Sequence, residues 1–345
     1  MDRTALVTGI TGQDGAYLSR LLLDKGYRVC GAFRRGASLN LWRLNELGVT
    51  EGDIEFIPFE LLEYANLRRA IEATEPDEIY NLGAQSFVGI SFEEPLFTSD
   101  VNGLGVTRML EAIREVNPAI KFYQASTSEM FGMVRAIPQN EETRFYPRSP
   151  YAVSKLYAHW MTVNYREAYK LFTCSGILFN HESPLRGIEF VTRKITAGLA
   201  RIREGQQDVV ELGSLDAKRD WGFAGDYVEG MWLMLQQSLP DDYVLATGTT
   251  TSVRRFCELA AAALGYELAW EGEGANATGV DRRSGKPIIR VNPKYYRPAE
   301  VDLLIGDPTK ARDKLGWSAK TALPRLVEMM VEADLQRARV GQLLL

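Results

Sequence analysis

The sequence predicts an α/β fold: a doubly wound parallel sheet with a smaller mixed α/β domain beside it. Apolar strand-like runs alternate with helical patterns through the first 180 residues, which implies a mostly parallel sheet with helices on both faces. A glycine-rich turn, Gly9-Ile-Thr-Gly12-Gln-Asp-Gly15, follows the first run directly. The length, 345 residues, is about 2.3 times a ~150-residue domain, enough for one large unit and a smaller one.

Thr4 to Thr8 reads as a buried strand, and Ala16 to Lys25 as a helix that stops at Gly26. Further strands are expected at Arg28 to Phe33, Ile54 to Ile57, Glu78 to Tyr80, Lys121 to Ala125 and Phe172 to Leu178. Helices at Tyr64 to Ala73 and Gly105 to Glu115 separate them. The right-handed crossover rule then leaves a Rossmann-like doubly wound sheet as the topology. After Phe179 the pattern breaks. Short strands at Val209 to Leu212, Val244 to Ala246 and Ile288 to Val291 mix with helices at Thr192 to Glu204, Tyr227 to Gln236 and Val253 to Leu264. Glu271 to Lys286 is Gly-rich, polar and aperiodic, and reads as a loop. We therefore expect a cofactor domain over 1–179 with returning segments near 213–246. A substrate domain is expected mainly over 180–335, with a tail over 336–345. The stripe Met231, Trp232 and Met234 reads as core.

Hydrophobic residues make up 46% and charged residues 25%, the globular averages of roughly 45–50% and ~25%. The net charge of −5 gives no long-range positive field to recruit nucleic acid. No apolar run reaches the ~18–20 residues of a membrane span. The start Met-Asp-Arg enters a strand at once, so no signal peptide is expected. Cys30, Cys174 and Cys257 form no CxxC pair, which points to a reducing cytosol and a cytoplasmic chain. His159 and His181 have no Cys cluster beside them, so no metal site is expected.

The turn containing Gly9, Thr11, Gly12, Gln13, Asp14 and Gly15 links a strand to a helix, the context of a dinucleotide-binding fingerprint. Glycines let the backbone approach a pyrophosphate, and the helix N-terminus offers free N–H groups and partial positive charge. The spacing is GxxGxxG, which an ordinary βα turn also satisfies. Strand two ends at Phe33, Arg34 and Arg35. An acid there suits the ribose 2′-hydroxyl of NAD, whereas arginine suits a 2′-phosphate, so the pair favours NADP. Glu60 and Leu61 after the third strand, and Leu82, Gly83 and Ala84 after the fourth, lie at equivalent ends and are candidates for the adenine and ribose walls.

Tyr151 and Lys155 lie four residues apart on one helical face. Ser149 reads as N-cap and Pro150 as the first helical residue, placing Tyr151 in the first turn. A phenol near pKa ~10 would be lowered by an ammonium and an oxidised nicotinamide, and Tyr151 could then act as general base on a sugar hydroxyl. A surface Tyr–Lys pair has the same spacing. Thr127, at the end of the Lys121 strand, can supply a hydroxyl to the same substrate oxygen. In an extended strand end Thr127 and Glu129 point to one side, which sets a carboxylate beside the Tyr–Lys pair.

Together these motifs resemble the extended short-chain dehydrogenase/reductases acting on nucleotide sugars. Tyr123 to Glu129 (YQASTSE), Phe145 to Ala152 (FYPRSPYA), Gly176 to Pro184 (GILFNHESP), Phe190 to Ile195 (FVTRKI), Arg219 to Gly222 (RDWG) and Tyr296 to Val301 (YRPAEV) are similar to the GDP-mannose 4,6-dehydratase family, and the likeness runs to about residue 335. The resemblance implies a lyase that converts GDP-α-D-mannose to GDP-4-dehydro-6-deoxy-α-D-mannose and water by internal hydride transfer through tightly bound NADP. Tyr151 would deprotonate the C4 hydroxyl as hydride leaves C4. Glu129 would take the C5 proton and protonate the departing C6 hydroxyl, and the hydride would return to C6. By the same resemblance Lys155, Ser86, His181 and Arg186 would contact cofactor. Ser86, Asn180, Val191, Lys194, Arg219, Arg297 and Glu300 would hold substrate beside Thr127, Glu129 and Tyr151. Glu60 replaces the family's more usual Asp, Phe97 stands where a Tyr is common, and Gly36-Ala37-Ser38 replaces a more Ser-rich loop that in the family reaches a neighbouring subunit. A homo-oligomer, tetramer or dimer, is implied. A GDP-4-keto-6-deoxymannose reductase or a nucleotide-sugar epimerase shares the fold but does not need Glu129. A non-catalytic NADP-binding regulator would not need the intact Thr127, Glu129, Tyr151 and Lys155 set.

Overall fold

The computed structural model describes residues 3–34, 40–295 and 303–341. Its central sheet has seven strands: β1 (Thr4–Thr8), β2 (Arg28–Phe33), β3 (Glu55–Pro58), β4 (Glu78–Asn81), β5 (Lys121–Thr127), β6 (Thr173–Leu178) and β7 (Tyr243–Leu245). Their order is β7-β6-β5-β4-β1-β2-β3, and every pairing is parallel. The order reverses at β1, between β4 and β2. That is the switch point at which doubly wound sheets open a crevice for ligands, outside the carboxyl ends of the strands.

The sequence dictates this core. Every residue of β1 and β6 is buried, as expected for apolar strands covered on both faces. Helix Gln13–Asp24 buries Ala16, Leu18 and Leu22, and helix Gly105–Val116 buries Met109, Leu110 and Ile113, each at helical spacing. Met231 and Met234 are fully buried, and Trp232 packs on the same core and donates to the Tyr27 hydroxyl at 3.1 Å. A buried polar chain crosses β1, β4 and β5. Gly83 N–H donates to Thr8 Oγ1 at 2.9 Å, Thr8 to Asn81 Oδ1 at 2.7 Å, and Asn81 Nδ2 to Gln124 Oε1 at 2.8 Å. Satisfied in this way, the polar side chains fix the register of the strands that carry the site.

The smaller unit has its own core, built on helices Val191–Arg203, Val253–Ala263 and Leu323–Arg339 and a four-stranded sheet. That sheet runs Leu268–Glu271, Thr278–Asp281, Pro287–Val291, Val210–Leu212. The segment read as a loop over 271–286 therefore holds an inner strand, Thr278–Asp281, paired antiparallel on both sides. Gly272, Gly274 and Gly285 have positive φ and make the turns at its ends, which is why the composition reads as loop. The tail expected from 336 is also corrected, since helix Leu323–Arg339 runs through that point. Arg193 of one helix and Asp334 of another, both deeply buried, join the two at 2.8 Å.

Candidate active site

The crevice above the switch point is a cleft of about 250 Å3 lined by the glycine turn, the end of β5 and the start of helix Pro150–Tyr169. Gly9 has φ +66°, and a Cβ there would sit 2.9 Å from Gly83 N and Leu82 C. A Cβ on Gly15 would lie 2.4 Å from the Gly9 carbonyl oxygen. Both clashes are with backbone, so the turn packs this close to the sheet only as glycine. The close backbone and the open N–H groups of helix Gln13–Asp24 fit a dinucleotide phosphate. Gly15→Ala is expected to force turn and helix apart and weaken dinucleotide binding by roughly tenfold or more, the cost of a modest overpacking of about 1–3 kcal/mol. Calorimetric titration of the purified protein with NADP reads this directly.

Helix Pro150–Tyr169 opens with Pro150 at its first position, and the Ser149 hydroxyl accepts from Ala152 N–H at 3.1 Å. This cap fixes Tyr151 and Lys155 one turn apart, both buried. Lys155 Nζ donates to the Ala125 carbonyl at 2.9 Å, and burial pulls its pKa down to about 8, with the Asp14 carboxylate opposing. The Tyr151 phenol moves the other way from the expectation. Burial pushes it up to about 12, against a hydrogen bond with Thr127, while the Glu129 carboxylate pushes it further up. The ammonium lies 6.0 Å from the Tyr151 ring centroid and is turned to the Ala125 carbonyl. Turned away in this manner, it does not offset the cost of burial.

Glu129 does not continue an extended strand, as expected from its spacing. β5 ends at Thr127, and Ser128–Met130 form one helical turn. The Thr127 hydroxyl caps that turn by accepting from Glu129 N–H at 3.2 Å. Ser128 and Met130 are buried, while Thr127 and Glu129 line the cleft with Tyr151.

Gly9, Gly12, Gln13, Asp14, Gly15, Leu82, Ala84, Ser86, Lys155, Asn180, His181 and Arg186 also line this cleft. Asn180 Oδ1 is a buried acceptor with no hydrogen-bond partner, a group that wants a ligand donor. Arg34 is exposed just past β2. Leu61 is instead buried in the core, Gly83 is tied to Thr8, and Glu60 turns onto its own loop, accepting from Leu62 N–H at 3.3 Å. Thr11 offers its carbonyl to Arg43 Nη1 at 3.2 Å. Val191 begins the helix after Phe190, and Lys194 Nζ lies 3.6 Å above the Tyr295 ring. Arg219 is buried in a short strand, Lys218–Arg219. Phe97 is partly exposed. Arg35, Gly36, Ala37, Ser38, Arg297 and Glu300 lie outside the described residues.

Arg43 and Glu189 are among the cleft residues that escaped the sequence. Arg43 ties the glycine turn to the second half of the chain, donating to the Thr11 and Leu185 carbonyls, and Glu189 faces it. No local signal marks either, because their partners come from distant segments.

Residues 6–330 match the family model described as GDP-mannose 4,6 dehydratase. Relatives named GDP-mannose 4,6-dehydratase include one from Sinorhizobium fredii (strain HH103), 53% identical and covering 98% of both chains. One from Homo sapiens is 51% identical over 98% of this chain and 92% of its own. The chain belongs to the GDP-mannose 4,6-dehydratase family. More distant solved structures share the fold of this chain. The UDP-glucose 4-epimerase of Thermotoga maritima superposes with a TM-score of 0.81 at 23% identity, over 98% of this chain and 99% of that one. The dTDP-glucose 4,6-dehydratase of Bacillus anthracis str. Ames gives 0.80 at 20% identity, over 98% of both. The epimerase likeness shows the fold alone, so the dehydratase chemistry has to be sought in the residues at the end of β5.

Proposed function

We propose that this cleft dehydrates GDP-mannose to GDP-4-dehydro-6-deoxymannose, with NADP held on the glycine turn. The observation that carries the reading is the placement of Glu129 one helical turn past β5, beside Thr127 and Tyr151 in the same cleft. Hydride transfer at C4 alone, as in a reductase or epimerase, needs only the hydroxyl, the phenol and the lysine. Removing a proton from C5 and water from C6 needs a further acid–base group, and Glu129 supplies it.

Bound NADP supplies a hydride acceptor and, as the oxidised nicotinamide, a positive charge that favours the phenolate. Tyr151 takes the proton of the C4 hydroxyl, which Thr127 steadies by hydrogen bonding. Lys155 holds the helix end against the Ala125 carbonyl and provides the cation that supports the phenolate. Glu129 takes the C5 proton and gives a proton to the leaving C6 oxygen. Gly9, Gly12 and Gly15 admit the diphosphate of the cofactor, with Ser86, His181 and Arg186 around it. Asn180, Val191, Lys194, Arg219, Arg297 and Glu300 hold the nucleotide sugar, whose diphosphate calls for Arg and Lys and whose ribose diol suits a carboxylate. The cofactor half comprises 1–179 with the returning segment near 213–246, and the substrate half lies mainly within 180–335.

Arg34 and Arg35 select the 2′-phosphate. Arg34→Ala is expected to cut the preference for NADP over NAD by roughly tenfold or more, since a charge-assisted hydrogen bond is worth about 1.5–3 kcal/mol. Equal affinity for both cofactors in the unsubstituted protein contradicts this role. Helix Pro150–Tyr169 exposes Val153, Tyr157 and Trp160 on one face at i, i+4 and i+7, and Leu104 nearby is also exposed. A patch of this kind suits a second copy, so the chain assembles as a homo-oligomer. A monomeric mass by light scattering contradicts that assembly. No helix among the described residues is long and apolar enough to cross a membrane. The three buried thiols suit a reducing cytoplasm. The function is tested by incubating the purified chain with several GDP-sugars and reading products by mass. Loss of one water from GDP-mannose is the expected result.

A further inference from the structure

The chain has two histidines, in opposite surroundings. His159 is buried with Ser126 Oγ 3.3 Å from its Nδ1, and burial pushes its pKa down. His181 lies in the short strand Asn180–Glu182. Its Nδ1 is 2.7 Å from the Phe179 carbonyl oxygen, and its Nε2 is 2.9 Å from Asp14 Oδ2. Asp14 Oδ1 accepts from Gln13 Nε2 at 3.0 Å. A carbonyl oxygen can only accept, and so can a carboxylate. A neutral imidazole carries one N–H, so two acceptors require the imidazolium. Tyr227 stacks on the ring at 4.8 Å with an interplanar angle of 19°, presenting a π face to a cation.

The position of Asp14 gives this charge a purpose. Asp14 stands in the first turn of helix Gln13–Asp24, beside the glycine turn and in the cleft. A lone carboxylate there would oppose any anion drawn to the same N–H groups. We propose that Asp14 and His181 form an ionised, internally neutral pair, in which protonated His181 cancels the field that Asp14 would set against the cofactor's phosphates. Asp14 is thereby a positioning residue that fixes the charge and orientation of His181. The charge state stands on the hydrogen-bond geometry of the pair, and only its effect on affinity rests on the NADP reading.

The groups facing the pair act in both directions and leave it ionised. Burial works against the imidazolium and so does Arg186, yet the Asp14 carboxylate leaves His181 raised above its ordinary value. Burial likewise works against the Asp14 anion, and His181 and Gln13 leave it lowered. Lys155 and Tyr123 face Asp14 from the neighbouring helix and β5. On the strand of His181, Glu182 is held by Arg186 at 3.0 Å and by Thr192. A raised imidazole keeps its proton below its folded pKa and loses it as pH rises through that value. NADP affinity therefore falls on the alkaline side.

The test uses the ligand-free full chain labelled with 15N-histidine. At about pH 7.5, one histidine is expected with both ring nitrogens protonated and the other neutral. His181→Gln removes the charged signal, and Asp14→Asn moves the titration of His181 to lower pH. Two neutral histidines in the unsubstituted protein overturn the proposal. In calorimetric titration, His181→Gln is expected to weaken NADP binding by roughly tenfold or more, and adding Asp14→Asn to recover most of that loss. A double variant as weak as His181→Gln alone overturns the neutralising role. If the unsubstituted chain binds no NADP, the cofactor reading and the affinity role both fall, and the nitrogen spectrum still decides the charge state by itself.

Discussion

Glu129→Gln is expected to stop dehydration while leaving oxidation at C4 in place. One carboxylate oxygen becomes an amide nitrogen, so volume and fold change little. The amide cannot accept the C5 proton or protonate the C6 oxygen. Loss of a general acid–base group costs about 10²–10⁴-fold, or roughly 3–5 kcal/mol of barrier. On addition of GDP-mannose, the absorbance of reduced nicotinamide should rise by up to one equivalent per site, with little or no dehydrated sugar. Rapid mixing followed by mass analysis separates the two signals. Dehydration at near-normal rate by this variant would remove Glu129 from the reaction.

Tyr151→Phe is expected to abolish both signals. The phenol is the group placed to take the C4 proton, and without it neither reduced nicotinamide nor product should accumulate. The loss should again be about 10²–10⁴-fold. The variant keeps the ring and the aromatic packing. It removes one hydroxyl and its hydrogen bond with Thr127, worth about 0.5–1.5 kcal/mol, so the melting temperature should fall only slightly. Nearly unchanged stability with lost turnover separates a chemical role from a structural one. The contrast between the variants is sharper than either rate alone, because only Glu129→Gln should leave the C4 oxidation visible.

Much of this site was legible in the sequence because local rules place it. The glycine turn sits between a five-residue apolar strand and a helix, and Ser149 and Pro150 fix where the next helix begins. Helical period then brings Tyr151 and Lys155 to one face. Thr127 and Glu129 were legible as a pair, but through the wrong geometry: a helical turn capped by the Thr127 hydroxyl holds them, not an extended strand. The direction of the Tyr151 shift was not legible, since it depends on burial and on where the Lys155 ammonium turns. Arg43 escaped notice because its acceptor at Leu185 lies 142 positions away. The strand Thr278–Asp281 escaped because its pairing on both sides comes from the tertiary fold, while its glycines spell a loop.

The reaction by which this cleft is proposed to act moves a hydride out of C4 and back to C6 of one sugar. GDP-mannose carrying deuterium at C4 tests this most directly. Incubated with the unsubstituted protein and catalytic NADP, it should yield a dehydrated product that keeps the deuterium at C6. Unlabelled product, with the deuterium lost to solvent, would contradict the internal return, and label recovered at C4 of an undehydrated epimer would contradict the dehydratase reading altogether.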